Sequence, residues 1–314
     1  MKRFISDQAY RLSHFGANAM PRGVLRRLLR ALHSRPEIAT RVGYMVYPEV
    51  FYNPFPLAGE VDVVRLKLKR ELPGVEFNLP KSQALLAELS CYAAEVKQLL
   101  AARPEKLVDK WNITYPCNDS AVLYSMLRRL KPKRYIEVGC GYSSRVSTPA
   151  LLRNAEEGHR CQALYIEPCP PAQLAEVKLA GEFIKEKVER VPLERFKELE
   201  AGDVLFIDTS HVIKTQNDVE YELLHILPSL KAGVFVHIHD IFTPYDYPAD
   251  WLVGSHPNRG GNNEQYALEC LLSGGKVWEV VLPLYLLWKE HGSLYRELVD
   301  AEFRPAAFWI RKTV

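Results

Sequence analysis

No apolar run in this sequence reaches the length of a bilayer span. No N-terminal segment joins a basic start to an apolar core and a small-residue cleavage site, so neither a membrane span nor a leader is expected. The six cysteines, Cys91, Cys117, Cys140, Cys161, Cys169 and Cys270, are scattered. They form no Cys-x-x-Cys pair and no zinc-finger spacing, which points to reduced thiols in a cytoplasmic chain rather than a disulfide frame. Charge of one sign is scarce as well: the formal net charge is +3, too little to argue for nucleic acid. The imbalance is local, since residues 1–50 hold nine Lys/Arg against three acids (+6), leaving −3 for the remainder. The aromatics of that segment are not interleaved with its arginines, so nucleic acid is not an expected partner. A third glycine is missing too. Gly139-Cys140-Gly141-Tyr142-Ser143-Ser144 is not a full dinucleotide fingerprint, and about thirty residues pass before the next strand-end acid where that fingerprint wants about twenty, which disfavours a nicotinamide oxidoreductase.

What remains is ordinary for a globular chain of 314 residues, 47% hydrophobic and 25% charged, long enough for one large domain or two modest ones. The first ~110 residues read as helices and loops without strand periodicity. Pro21 opens a helical stripe with Leu25, Leu28, Leu29 and Leu32 on one side and arginines opposite. Packing on its own domain or on a second subunit is the expectation, with a membrane-surface helix as the alternative. Gly43 to Pro56 carries Tyr44, Tyr47, Phe51, Tyr52 and Phe55 between prolines, a covering loop or substrate-facing lid. Ser82 is placed to cap a helix through about Leu100, and Asp119 or Ser120 one over Val122 to Leu130.

From there strands and helices alternate. Tyr135 to Val138, Ala163 to Glu167, Lys187 to Val191, Val204 to Asp208 and Val234 to Ile238 read as strands. Trp278 to Leu287 and Ala306 to Arg311 are β-rich runs that finish the sheet, one of them open to an antiparallel placement. This predicts an α/β, doubly wound, mostly parallel seven-stranded sheet with a mainly helical N-terminal extension, divided into residues 1–110 and 111–314.

In such a sheet ligands lie beyond the carboxyl ends of the strands, and Glu137, Glu167, Asp208 and Asp240 all stand at those ends. Arg134 to Arg145 reads as strand, tight glycine turn and helix start, with Glu137 ahead of Gly139 and Gly141 for a ligand that carries a ribose. Glu167 is placed to accept both ribose hydroxyls. Asp208, His239 and Asp240 form a donor set that suits a divalent cation, magnesium by its carboxylates and manganese, iron or zinc by its imidazole. His211, three residues past Asp208, is the candidate proton acceptor. His237 reads as a hydrogen-bonded core histidine and Lys214 as a solvated charge.

Residues ~119–311 resemble a class I S-adenosylmethionine-dependent methyltransferase of the bacterial methyltransferase domain 24 type. The likeness lies in Glu137-Val-Gly-Cys-Gly-Tyr-Ser-Ser144, Tyr165-Ile-Glu167-Pro, Gly202 to His211, Leu230-Lys-Ala-Gly233, His239-Asp240-Ile-Phe and Asn263-Glu264-Gln265-Tyr266. The resemblance implies that Gly139 and Gly141 hold the methionine part of S-adenosylmethionine, with Glu137 and Asp208 also among the cofactor-binding residues, Glu167 on the ribose, and Asp119 or Ser120 against the cofactor. It implies metal ligands at Asp208, His239 and Asp240 and a base at His211, with His239 departing from the acid usual at its place. The expected activity is O-methylation of a small hydroxylated molecule, a sugar or a phenolic secondary metabolite, with metal assistance left open. The alternatives are a metal-independent N-methyltransferase and a non-catalytic cofactor-binding module. A homo-oligomer through the N-terminal region is compatible with the sequence.

Overall fold

The structure, a computed structural model, describes residues 20–41, 56, 59–101, 115–252, 261–299 and 303–314. The chain divides into two compact units, Met1–Val61 and Asp62–Val314. In the first, α1 (Arg22–Ser34) forms where the apolar stripe predicts a helix, entered through Pro21. None of its residues is buried, and Val24 and Leu28 keep about half their surface in solvent (52% and 49%). The expected aromatic cover, Tyr44 to Phe55, lies outside the described residues.

The second unit begins with α2 (Leu79–Leu89) and α3 (Ala93–Ala101), continues through α4 (Cys117–Leu130) and then enters the alternating region. There follow β1 (Arg134–Val138), α5 (Ser144–Glu156), β2 (Gln162–Ile166), β3 (Gly181–Ile184), β4 (Val204–Ile207) and β5 (Phe235–Ile238). The chain closes with α6 (Glu264–Ser273), β6 (Trp278–Pro283), α7 (Leu284–His291) and β7 (Phe308–Lys312). The seven strands are ordered β3-β2-β1-β4-β5-β7-β6, and β7 runs antiparallel to both of its neighbours. This is the doubly wound α/β sheet expected. Its order reverses between β1 and β4, the place beyond whose carboxyl ends a sheet of this kind leaves a crevice.

Alternation along the strands builds a core on each face. Tyr135, Tyr165, Phe206 and Trp309 join one cluster, which also takes Leu86 and Leu89 of α2 and Val96 of α3. Ile136, Leu164, Leu205 and Val236 join the other. The extension expected to run to residue 110 therefore contributes to the core of the sheet from α2 onward.

Four local expectations are corrected. The third strand is Gly181–Ile184, whereas Val188–Arg190 is a 3-10 turn whose Val188 and neighbouring Val191 are buried as loop contacts. Asn78 caps α2, its Oδ1 accepting from the Lys81 amide at 3.3 Å, and Ser82 instead donates to the Val281 carbonyl on β6 at 2.8 Å. The predicted long helix is broken by a 3-10 turn at Ser90–Tyr92. The run from Trp278 stops being strand at Pro283, where α7 begins.

Candidate active site

The glycine turn follows β1 because no other residue fits its first position. Gly139 has φ +85°, and a Cβ there would lie 1.8 Å from the Asp208 carbonyl oxygen. The two strand ends are laced at this point. Gly139 N–H donates to Ile166 at 3.0 Å and Asp208 N–H to Val138 at 3.0 Å. Gly141 is different, for its Cβ would meet only Pro171, at 3.9 Å. Packing of the protein does not require glycine there.

Glu137 sits behind the turn. It is fully buried, and its Oε1 accepts from Ser143 (2.8 Å) and Ser144 (2.6 Å) while Oε2 accepts from Tyr135 (2.8 Å) and Ser147 (2.6 Å). Burial raises its proton affinity, and the serine hydroxyls work against that. The carboxylate thus ties β1 to the first turns of α5 and fixes the loop between them.

In front of the turn lies a cavity of about 440 Å³ lined by Gly139, Glu167 and Asp208, among others. Glu167 is half-buried, which raises its pKa, and its Oε1 accepts from the Cys169 amide at 2.7 Å. Asp119 and Ser120 are not among the residues that line this cavity. Asp119 is fully buried in the first turn of α4 rather than capping it, and accepts from the amides of Ala306 (3.0 Å) and Ala307 (3.0 Å) ahead of β7. Ser120 is buried beside it.

Past the ends of β4 and β5 the remaining predicted residues converge. His211 Nε2 lies 3.2 Å from Asp208 and 3.3 Å from Asp240, and its Nδ1 is 3.1 Å from Glu264. His239 Nδ1 is 3.4 Å from Asp208 and 3.4 Å from Asp240, and its Nε2 is 3.5 Å from Asp119. His211 and Asp240 both have φ +58°, a left-handed backbone that His and Asp tolerate better than most residues and that is found at functional sites. Burial, which alone would lower it, is outweighed at His211 by Asp240, Asp208 and Glu264, and the imidazole pKa is raised well above its ordinary value. Burial would raise that of Asp208, but His239 and His211 hold its carboxyl below the usual range. His237 goes the other way. Buried against Phe206 (ring centroids 4.3 Å apart) and hydrogen-bonded to Tyr115 at 3.2 Å, it is kept neutral, first by burial and then by His239.

The expected metal ligands Asp208, His239 and Asp240 are therefore neighbours, but their imidazole nitrogens face carboxylates instead of a common centre. Among the described residues no group of three or more His, Cys, Asp or Glu side chains is arranged to hold a metal ion. As they stand, these residues do not fit one.

Glu264 was missed as a site residue. It comes from the start of α6, 53 positions beyond His211, and only its place in Asn263-Glu264-Gln265-Tyr266 marked it.

Residues 136–241 match the family model described as Methyltransferase domain, a stretch that contains the glycine turn, Glu167, Asp208, His211 and Asp240. No curated protein matches the chain. Among solved structures, the O-methyltransferase TomG from Streptomyces achromogenes, solved with S-adenosylmethionine, is 14% identical, with 76% of this chain and 92% of that one covered at a TM-score of 0.40. A putative methyltransferase from Thermobifida fusca is 14% identical over 74% and 88%, at a TM-score of 0.41. Residues 136–241, about a third of the chain, thus match a methyltransferase domain, and the fold brings the motifs of that stretch together beyond the carboxyl ends of β1, β2 and β4.

Proposed function

We propose that the enzyme is an O-methyltransferase of a small hydroxylated acceptor, a sugar or phenol, in which His211 takes the hydroxyl proton. One observation carries this reading: Asp208 both lines the 440 Å³ cavity and touches His211 at 3.2 Å, so the ligand cavity and the candidate base share a wall. The cavity fits the methyl donor by its chemistry. Glu167, with one oxygen committed to the Cys169 amide, faces the ribose hydroxyls, and Gly141 leaves the turn unobstructed. When bound there, S-adenosylmethionine supplies a methyl group on a sulfonium. The chain's own residues orient the acceptor, exclude water and accept the proton at His211 Nε2. Its carboxylate neighbours make that imidazole a strong base once it has lost its own proton.

Calorimetric titration with S-adenosylmethionine tests the frame. Micromolar binding is expected, and no binding overturns it. Repeating the titration after chelation with EDTA should leave the affinity unchanged, because the donor contacts proposed are a glycine turn and a carboxylate. A large loss after chelation would mean that the side chains around Asp208 regroup about an ion. In the same assay Glu167→Ala should weaken binding by about 1.5 to 3 kcal/mol, the worth of hydrogen bonds to a charged group. Unaltered affinity would move the ribose elsewhere.

A further inference from the structure

The reaction as proposed asks His211 to present one particular nitrogen, Nε2, to the acceptor, yet the residue sits on a loop in a left-handed conformation that does not by itself hold a ring in place. Four groups from the start of α6 do that work. The amides of Asn263 and Glu264 donate to the His211 carbonyl at 3.0 and 3.3 Å, which fixes the backbone. Asn263 Oδ1 accepts from the Ile213 amide at 2.6 Å, which fixes the loop beyond it. Glu264 Oε2 meets His211 Nδ1 at 3.1 Å, which fixes the ring. Next in the chain, Gln265 accepts from the Phe242 amide at 2.6 Å and donates to the Tyr245 carbonyl at 2.8 Å, so the same helix start also grips the loop that follows Asp240.

The side chain of Glu264 is nearly enclosed, only 2% exposed, and among the described residues His211 is its one side-chain hydrogen-bond partner. Enclosing a carboxylate for a single contact is costly unless that contact matters.

We infer that Glu264 is a positioning residue for the methyl transfer: its carboxylate holds the proton of His211 on Nδ1 and so turns Nε2 toward Asp208, Asp240 and the acceptor hydroxyl. The inference rests on the reading of His211 as the base. The proton taken from the acceptor ends on Nε2, the Nδ1 proton stays on the ring hydrogen-bonded to Glu264, and the acceptor oxygen's electron pair bonds to the methyl carbon as the carbon–sulfur bond of the sulfonium breaks, its pair staying on the sulfur of the departing S-adenosylhomocysteine.

The test is spectroscopic and needs no acceptor. In full-length protein labelled with ¹⁵N-histidine, the Nδ1–H proton of His211 should appear as a downfield resonance in water, assigned by its loss in His211→Gln. Glu264→Gln should abolish or shift it upfield by more than 1 ppm, with the circular dichroism and the affinity for S-adenosylmethionine held within about twofold. Glu264→Asp, which keeps the charge on a shorter arm, should retain a shifted but visible signal. An unchanged resonance in Glu264→Gln overturns the inference, as does a Glu264→Asp protein no different from Glu264→Gln. Failure of the wild type to bind S-adenosylmethionine would instead overturn the proposed function and leave the histidine resonances to be read by themselves.

Discussion

Replacing His211 by alanine is expected to lower turnover about 10²- to 10⁴-fold, the usual worth of a positioned acid or base, while leaving the affinity for S-adenosylmethionine nearly unchanged. The two effects separate because His211 touches Asp208, Asp240 and Glu264 but is not among the residues that line the 440 Å³ cavity. Formation of S-adenosylhomocysteine against a panel of catechols and hexose derivatives gives the rate, and calorimetry gives the affinity. The pH dependence adds a signature. Because burial is outweighed at His211 by Asp240, Asp208 and Glu264, the imidazole holds its proton above neutral pH, and the wild-type rate should climb as pH rises into the alkaline range. The alanine variant should lose that limb. Removing the imidazole also leaves three carboxylates facing one another, so His211→Asn, which restores a polar side chain, controls for local collapse. If either variant turns over at the wild-type rate, His211 is structural. If both lose the cofactor as well, the cluster shapes the cavity.

Much of this arrangement was legible in the sequence because the residues that define it sit at strand ends. A short buried strand followed by an acid or a glycine is a local signal, and the ends of β1, β2, β4 and β5 carry Glu137, Glu167, Asp208 and Asp240 within one or two positions of where the strands stop. His211 was legible from its spacing to Asp208. Roles that depend on what arrives from elsewhere were not. Glu137 reads as a ligand-facing acid until Ser143, Ser144 and Ser147 fold back on it from α5. Asp119 reads as a helix cap until the amides of Ala306 and Ala307, nearly two hundred residues on, reach it. β3 escaped for a different reason: as an edge strand, Gly181 to Phe183 is exposed, while the apolar residues that imitate a strand, Val188 and Val191, are buried in the loop that follows. The donor set Asp208, His239 and Asp240, expected as metal ligands, lies together in the fold, but sequence spacing cannot say whether imidazoles and carboxylates will pair or converge.

Gly139→Ala should be the most damaging single change in the glycine turn, and Gly141→Ala is its control. At Gly139 the new methyl would stand 1.8 Å from the Asp208 carbonyl oxygen, which is backbone and cannot rotate away, and φ +85° adds about 1 to 3 kcal/mol for any residue with a Cβ. Relief requires β1 and β4 to part at their carboxyl ends. That breaks the bond from Asp208 N–H to Val138 and displaces Asp208 from His211, so a small covalent change disturbs the glycine turn and the support of the proposed base together. A fall of several kelvin in Tm, with loss of S-adenosylmethionine binding, is the expected result for this variant. At Gly141 a methyl group would meet nothing closer than Pro171 at 3.9 Å, so Tm should hold. If the donor lies against this turn, the Gly141→Ala affinity should still fall, because the methyl would occupy the space the ligand needs. Equal Tm for Gly139→Ala and wild type would contradict the geometry at the end of β1, whereas a Gly141→Ala protein that binds normally would place the donor away from the second glycine.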